Sequence, residues 1–238
     1  CTPGIAARRE LHSGDFGQCE LIRELLRGHE EVIHLAYTSV PKTSFENPFS
    51  DLLENLPPTV QLFAETAESG RKLLFVSSGG TVYGEAGTLP IREDHPTRPI
   101  SPYGLTKLTL EGYAHLYAVT HGLKFVCVRP ANAFGPGQKP FTGQGFIASA
   151  MTSMMRGLPV TVFGQRGTVR DYIYVGDLAA WWQRLRQHLP QPPPQSIQCL
   201  PPLAAAAWSA EYLGDSLLGD ADEREYLGDA VAETGFLR

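Results

Sequence analysis

The chain has 238 residues, 42% of them hydrophobic, which suffices for one large domain or a domain with a small appendage. Its formal net charge is −5, so there is no basic surplus of the kind that marks a nucleic-acid binder. The 4 cysteines, at positions 1, 19, 127 and 199, form no CxxC pair. Zinc, redox and disulfide-scaffold classes are therefore disfavoured, and a reducing cytoplasm is the expected location. No run of about 18 apolar residues exists, so no membrane partner is expected. The opening CTPGIAARRE lacks the apolar stretch of a signal peptide.

Short apolar runs alternate with helical patterns. EEVIHLA (30–36), RKLLFVSS (71–78) and LKFVCVRP (123–130) read as buried strands. A helical stretch ending near Gly70 separates the first two. The segment from Tyr103 to His121, closed by Gly122 as a C-cap, separates the last two. This alternation predicts an α/β fold with a doubly wound parallel sheet. Ligands of such sheets sit beyond the carboxyl ends of the strands, where SSGGTVYG (77–84) and RPANAFGPGQ (129–138) begin. After residue 140 the pattern changes. TGQGFIASAMTSMMRGLPVTVFG reads as a helix and a short strand. RDYIYVGDLAAWW reads as a strand, an Asp177 N-cap and another helix. A proline-rich break at 190–202 leads to an alanine-rich, acidic tail in which EYLGD occurs at 211–215 and 225–229. The expected division is a sheet domain over 1–140, a smaller region over 141–189 and an unassigned tail over 190–238.

The segment SPYGLTK (101–107) holds the sharpest constellation. Tyr103 and Lys107 are four apart at a helix start, so they share one face. An ammonium beside a phenol favours the phenolate. A tyrosine brought towards neutral pH can exchange a proton with an alcohol oxygen.

Together with GDF (14–16), VIHLAYTS (32–39), NP followed by Asn55, SSGGTVYG, RPANAFGPGQ and VRDYIYVGDLA (169–179), this segment resembles the extended short-chain dehydrogenase/reductase family. Within it, the likeness is to nucleotide-sugar epimerases of the UDP-galactose 4-epimerase type, and it spans roughly Ser13 to Ala180. The resemblance implies a Rossmann-like fold and NAD as cofactor. Tyr103 would be the general base on a sugar hydroxyl, and Lys107 would hold the nicotinamide ribose. Asp15 and Phe16 would lie near adenine, while Leu35, Ala36, Tyr37 and Asn55 would line the dinucleotide. Asn132 and Arg170 would contact a UDP-hexose-class sugar nucleotide, an arginine fork suiting a diphosphate. A homodimer through the YxxxK helix and the helix before it is also implied.

Four departures from the family pattern stand out. Only 13 residues precede GDF, so the first strand, Gly-rich turn and helix are absent, since a βαβ unit needs about 30. The sheet domain is expected to be N-terminally truncated, whether as a fragment or as a shortened product, and to bind NAD weakly or not at all. A GxGxxA match at Gly143–Ala148 follows a loop and is read as chance. Gly79 stands where a catalytic serine or threonine is expected. Thr81, on the same side of the strand by alternation, is the first substitute and Ser78 the reserve. Pro57–Pro58 predicts a kink or restart in the helix that carries Asn55. Nothing after Pro190 matches the rest of the family's substrate region, which is expected to be small and incomplete here.

Positions 80 and 81 lack the acidic groups that a dehydratase or decarboxylase of this type needs. The expected function is thus NAD-dependent epimerisation of a nucleotide sugar at C4. A catalytically dead relative and a nucleotide-sugar reductase are the alternatives.

Overall fold

The computed structural model describes residues 10–162, 167 and 169–188. The proline-rich break, the tail, Cys1 and Cys199 lie outside the described residues. The elements run α1 (Cys19–Arg27), β1 (Glu31–His34), α2 (Pro41–Glu46), α3 (Pro48–Glu68), β2 (Lys72–Val76), α4 (Pro102–His121), β3 (Lys124–Val128), β4 (Asn132–Phe134), α5 (Phe146–Met155), β5 (Tyr172–Tyr174) and α6 (Val175–His188).

The three expected strands form one parallel sheet in the order β1-β2-β3. Phe75 of β2 stands in register with His34 on one side and Cys127 on the other. Parallel neighbours need crossovers, and α3 and α4 supply them. The two helices pack on each other and on the sheet. Their shared core is Phe63, Leu73, Phe75, Leu110, Ala114 and Leu123, with the Phe63 ring edge-on to Phe75 at 5.5 Å. Local chemistry sets the helix starts. The side chains of Asn47 and Ser101 accept the N–H groups of Ser50 and Gly104, and Pro48 and Pro102 follow each cap. Gly122 ends α4 at φ +69, as the C-cap reading predicts.

Three local expectations are corrected. α3 runs unbroken through Pro57 and Pro58. The carbonyls deprived of donors are those of Leu53 and Glu54, both exposed residues, while Asn55, Thr59, Leu62 and Phe63 anchor the helix on its buried side. Residues 132–134, for which no element was expected, form β4, paired in parallel with β5 as a separate two-stranded sheet. Asp177 is not an N-cap, because α6 follows β5 directly and Asp177 sits in its first turn. Residues 159–162 form no strand.

Candidate active site

At the carboxyl end of β2 the chain leaves the strand and turns. The N–H groups of Ser77 and Gly79 still donate to Val128 and Pro130 carbonyls, at 2.8 and 2.9 Å, and then Val82 N–H folds back on Ser78 O at 3.3 Å. Gly79 therefore lies against the backbone after β3. A Cβ there would sit 2.7 Å from Arg129 O and 3.0 Å from Pro130 O. That is why no hydroxyl-bearing side chain stands at position 79. The turn also ends strand alternation before residue 81, so the same-side argument for Thr81 does not apply. Thr81 nevertheless holds a buried Oγ1 with no hydrogen-bond partner, whereas Ser78 is half-buried in the turn.

The first turn of α4 lies directly on this loop. A Cβ on Gly104 would meet Thr81 O at 2.8 Å, and Tyr103 N–H donates to Ser44 Oγ at 3.2 Å. One turn on, Lys107 is only 4% exposed. Its ammonium donates to Val76 O at 2.9 Å and lies 4.1 Å from the Tyr37 ring centroid, 5.3 Å from Phe75 and 5.7 Å from Tyr103. The Tyr37 and Tyr103 rings meet edge-on at 4.8 Å. Three aromatic faces thus replace part of the lost hydration.

Burial acts on both members of the pair. Burial pushes Lys107 down to about 8. Tyr103 is pushed up to about 12, first by burial and then by the charge of Asp51. Tyr37 is raised for the same two reasons. Burial and the Asp51 charge both disfavour the phenolate of Tyr103 in the folded chain.

Asp51 is one of several groups around the site that sequence reading missed. It is 2% exposed, accepts from the Ser39 hydroxyl and accepts from Thr106 Oγ1 at 2.8 Å. Glu111, one turn beyond Lys107, accepts from Ser77 Oγ at 2.5 Å and takes two hydrogen bonds from Arg129 Nε, at 2.9 and 3.2 Å, and one from its Nη2, at 2.5 Å. Burial opposes the Arg129 charge, but Glu111 more than offsets it, and the guanidinium stays protonated. His34, buried between Phe16 and Phe75, hydrogen-bonds with Thr59 Oγ1 at 3.1 Å. Burial, then Lys107, lowers its pKa to about 4. None of these residues carries a local signal, since their partners are distant in sequence.

The other expected residues divide. Tyr37 joins the pair directly. Leu35, 59% exposed, and Ala36 stand open at the end of β1. Asp15 and Phe16 come to the same end through the Phe16–His34 ring contact, 5.2 Å apart, although Asp15 Oδ1 is engaged by Gly17 N–H. Asn55 is corrected: at 1% exposure its amide bonds Thr38 N–H, Thr38 Oγ1 and Asp51 O, which makes it a bracket inside the protein. Asn132 and Arg170 come together at the β4–β5 pair and are exposed. Asn132 Nδ2 donates to Asp171 O and Arg170 Nη1 to Val169 O.

A parallel α/β sheet with a tyrosine and a buried lysine one helical turn apart at its carboxyl end defines a site of the short-chain dehydrogenase/reductase type. The chain belongs to the NAD dependent epimerase/dehydratase family, which matches residues 2–198. It is 37% identical over 160 residues to a dTDP-4-dehydro-6-deoxyglucose reductase of Escherichia coli, covering 66% of this chain and 50% of that protein. It is 35% identical over 171 residues to a UDP-glucose 4-epimerase of Mycolicibacterium smegmatis, covering 71% and 55%. It also resembles the crystal structure of a Thermus thermophilus UDP-glucose 4-epimerase in complex with NAD, at 34% identity and TM-score 0.67, covering 75% of this chain and 59% of that one. The chain therefore spans about half the length of the curated relatives it matches.

Two predictions follow from this geometry. Gly79→Ser drives its Cβ into the Arg129 carbonyl and should cost about 1–3 kcal/mol, read from urea denaturation; an unchanged midpoint would show that the loop yields. Lys107 has its folded pKa depressed from 10.5 to about 8. The unfolded chain therefore holds that proton more tightly, and stability rises with pH between those values. Relative to Lys107→Met, the parent chain should gain about 3 kcal/mol between pH 7.5 and 10.5. A pH-independent difference in denaturation free energy would contradict the assigned shift.

Proposed function

We propose that this chain carries the proton-transfer half of an NAD-dependent nucleotide-sugar epimerase acting at C4 of a UDP-hexose. The observation that carries the reading is the buried Lys107 beside Tyr103, next to an unpartnered Thr81 hydroxyl. The pair fits a dinucleotide. Among the described residues, the Lys107 ammonium has one protein hydrogen-bond acceptor, Val76 O, for its three N–H groups, and Leu35 and Ala36 leave the end of β1 open.

NAD, when bound, supplies reversible hydride acceptance from a sugar carbon. Lys107, Leu35, Ala36 and Tyr37 would hold it, with Asp15 and Phe16 towards its adenine. Tyr103 moves the proton at the sugar C4 oxygen. Thr81 is the hydroxyl best suited to share that proton, with Ser78 in reserve. Asn132 and Arg170 bind the nucleotide diphosphate after releasing their backbone partners.

A reductase is the second reading. It is favoured by the 37% identity to the dTDP-4-dehydro-6-deoxyglucose reductase. A second copy of the chain is the proposed partner for the outer faces of α3 and α4, where Phe49, Leu52, Leu53, Leu105, Leu116 and Val119 are exposed.

In the full-length protein, Tyr103→Phe should lower UDP-hexose turnover by about 10²–10⁴-fold with an unchanged thermal midpoint. Near-normal turnover would remove Tyr103 from this role. Stoichiometric consumption of reduced cofactor during sugar conversion would select the reductase. For the assembly, Leu116→Glu should turn a dimer into a monomer in sedimentation; a monomeric parent protein would end the dimer reading.

A further inference from the structure

We propose that Tyr37 is a positioning residue, the aromatic seat that holds the Lys107 ammonium beside Tyr103. The inference deepens the proposed reaction and rests on reading Lys107 and Tyr103 as its working pair, but its test reads the lysine alone.

The seat is made by contact. The Lys107 ammonium lies over the Tyr37 ring, 4.1 Å from its centroid. This is the nearest of the three rings, with Phe75 at 5.3 Å and Tyr103 at 5.7 Å. A cation is drawn to the negative face of an aromatic ring, and more strongly where water is excluded. Lys107 is 4% exposed, so little water competes. Its hydrogen bond to Val76 O, at 2.9 Å, fixes one N–H, and the ring fixes the side towards which the ammonium leans. The Tyr37 ring also meets the Tyr103 ring edge-on, at 4.8 Å and 69°, an arrangement that aromatic pairs favour. One side chain therefore touches both members of the pair and sets their spacing.

The ring is itself held. Tyr37 lies between β1 and α2, outside the helices and strands, yet the two residues after it are pinned. Thr38 N–H donates to Asn55 Oδ1 at 2.9 Å, and Asn55 Nδ2 donates to Thr38 Oγ1 at 2.9 Å. The Ser39 hydroxyl donates to Asp51. Both partners belong to the buried face of α3, and Tyr37 packs against the core that α3 shares with the sheet. The bracket formed by Asn55 thus acquires a purpose, which is to hold the seat.

The titratable groups acting on Lys107 from the surrounding elements are His34 of β1, Asp51 of α3, Glu111 of α4 and Cys127 of β3. Tyr103 of α4 is in ring contact, and Arg129 is bound to Glu111. All of them remain when Tyr37 is replaced. Comparing a ring with an aliphatic side chain at position 37 therefore isolates the ring.

The test is NMR of side-chain-labelled lysine in the whole chain, with Lys107 assigned by the signal lost in Lys107→Met. It needs no turnover, so a failed seat and a failed reaction are told apart. A ring current shields what lies over its face, so the Lys107 ε-methylene protons should resonate upfield of those of the other lysines. An unshifted signal in the parent chain overturns the proposal before any change at position 37. Tyr37→Leu should move the signal downfield and lower the Lys107 titration midpoint by about one pH unit, because the ammonium loses its ring but stays buried. Tyr37→Phe, which keeps the ring, should keep both parent values. A midpoint that holds or rises in Tyr37→Leu overturns the proposal, a rise meaning that water has entered. So does any Tyr37→Phe that loses the parent values, since the hydroxyl is then what matters. If Tyr37→Leu does not fold, Tyr37→Met carries the same measurement. Failure of both to fold, with Tyr37→Phe folded, also overturns it, since the ring is then a packing element.

Discussion

The site depends on one costly act, the burial of the Lys107 ammonium at the carboxyl end of a parallel sheet. A lysine removed from water needs an acceptor, polarisable faces and negative charge nearby. The acceptor is the last carbonyl of β2. The faces come from the loop after β1, from β2 and from α4. The carboxylates come from α3 and α4. No single element could supply all of these. Parallel register brings every strand's carboxyl end to one edge, and the crossover helices begin there. The topology is what lets residues 37, 51, 76 and 107 meet.

Close backbone approach is the second constraint. Gly79 and Gly104 each sit where a Cβ would come under 3 Å from a backbone oxygen. The two contacts stack the β2 loop between the chain after β3 and the first turn of α4. Position 79 has no room for a side chain without a shift of the backbone at 129–130. What remains is a hydroxyl two residues later, on the far side of the turn, with no protein partner. The Glu111–Arg129–Ser77 cluster holds the same three segments one layer deeper. A buried pair of this kind adds little net stability but is expensive to break, so its contribution is to fix where the loops sit.

The legibility of the sequence follows the range of the interactions. Strands β1 to β3, α4 and its caps were readable because periodicity and capping are local. Tyr103 and Lys107 were readable because helical spacing fixes their common face. Asn55 was visible as a residue but not in its role, because its partners Thr38 and Asp51 are set by packing. Pro57 and Pro58 misled because burial on one side of α3 holds the helix through the gap in its ladder. Asp51, Glu111 and Arg129 carry no local signal of burial, since their partners are distant in sequence. Only the sheet register reveals that they are buried.

The state of Tyr103 narrows the chemistry. Its neighbourhood, as folded, favours the phenol: burial raises its pKa and Asp51 adds to the effect. Taking a phenol near 12 to a base useful at pH 7 requires roughly 7 kcal/mol of favourable interaction with the phenolate. Lys107, its ammonium 5.7 Å from the Tyr103 ring centroid, makes no hydrogen bond to that phenol in the ligand-free chain. The difference must come from charge brought by what binds. Donating a proton to a carbonyl oxygen requires no such help. Burial thus sets opposite demands on the two members of the pair, since it disfavours the ammonium of Lys107 and the phenolate of Tyr103 alike.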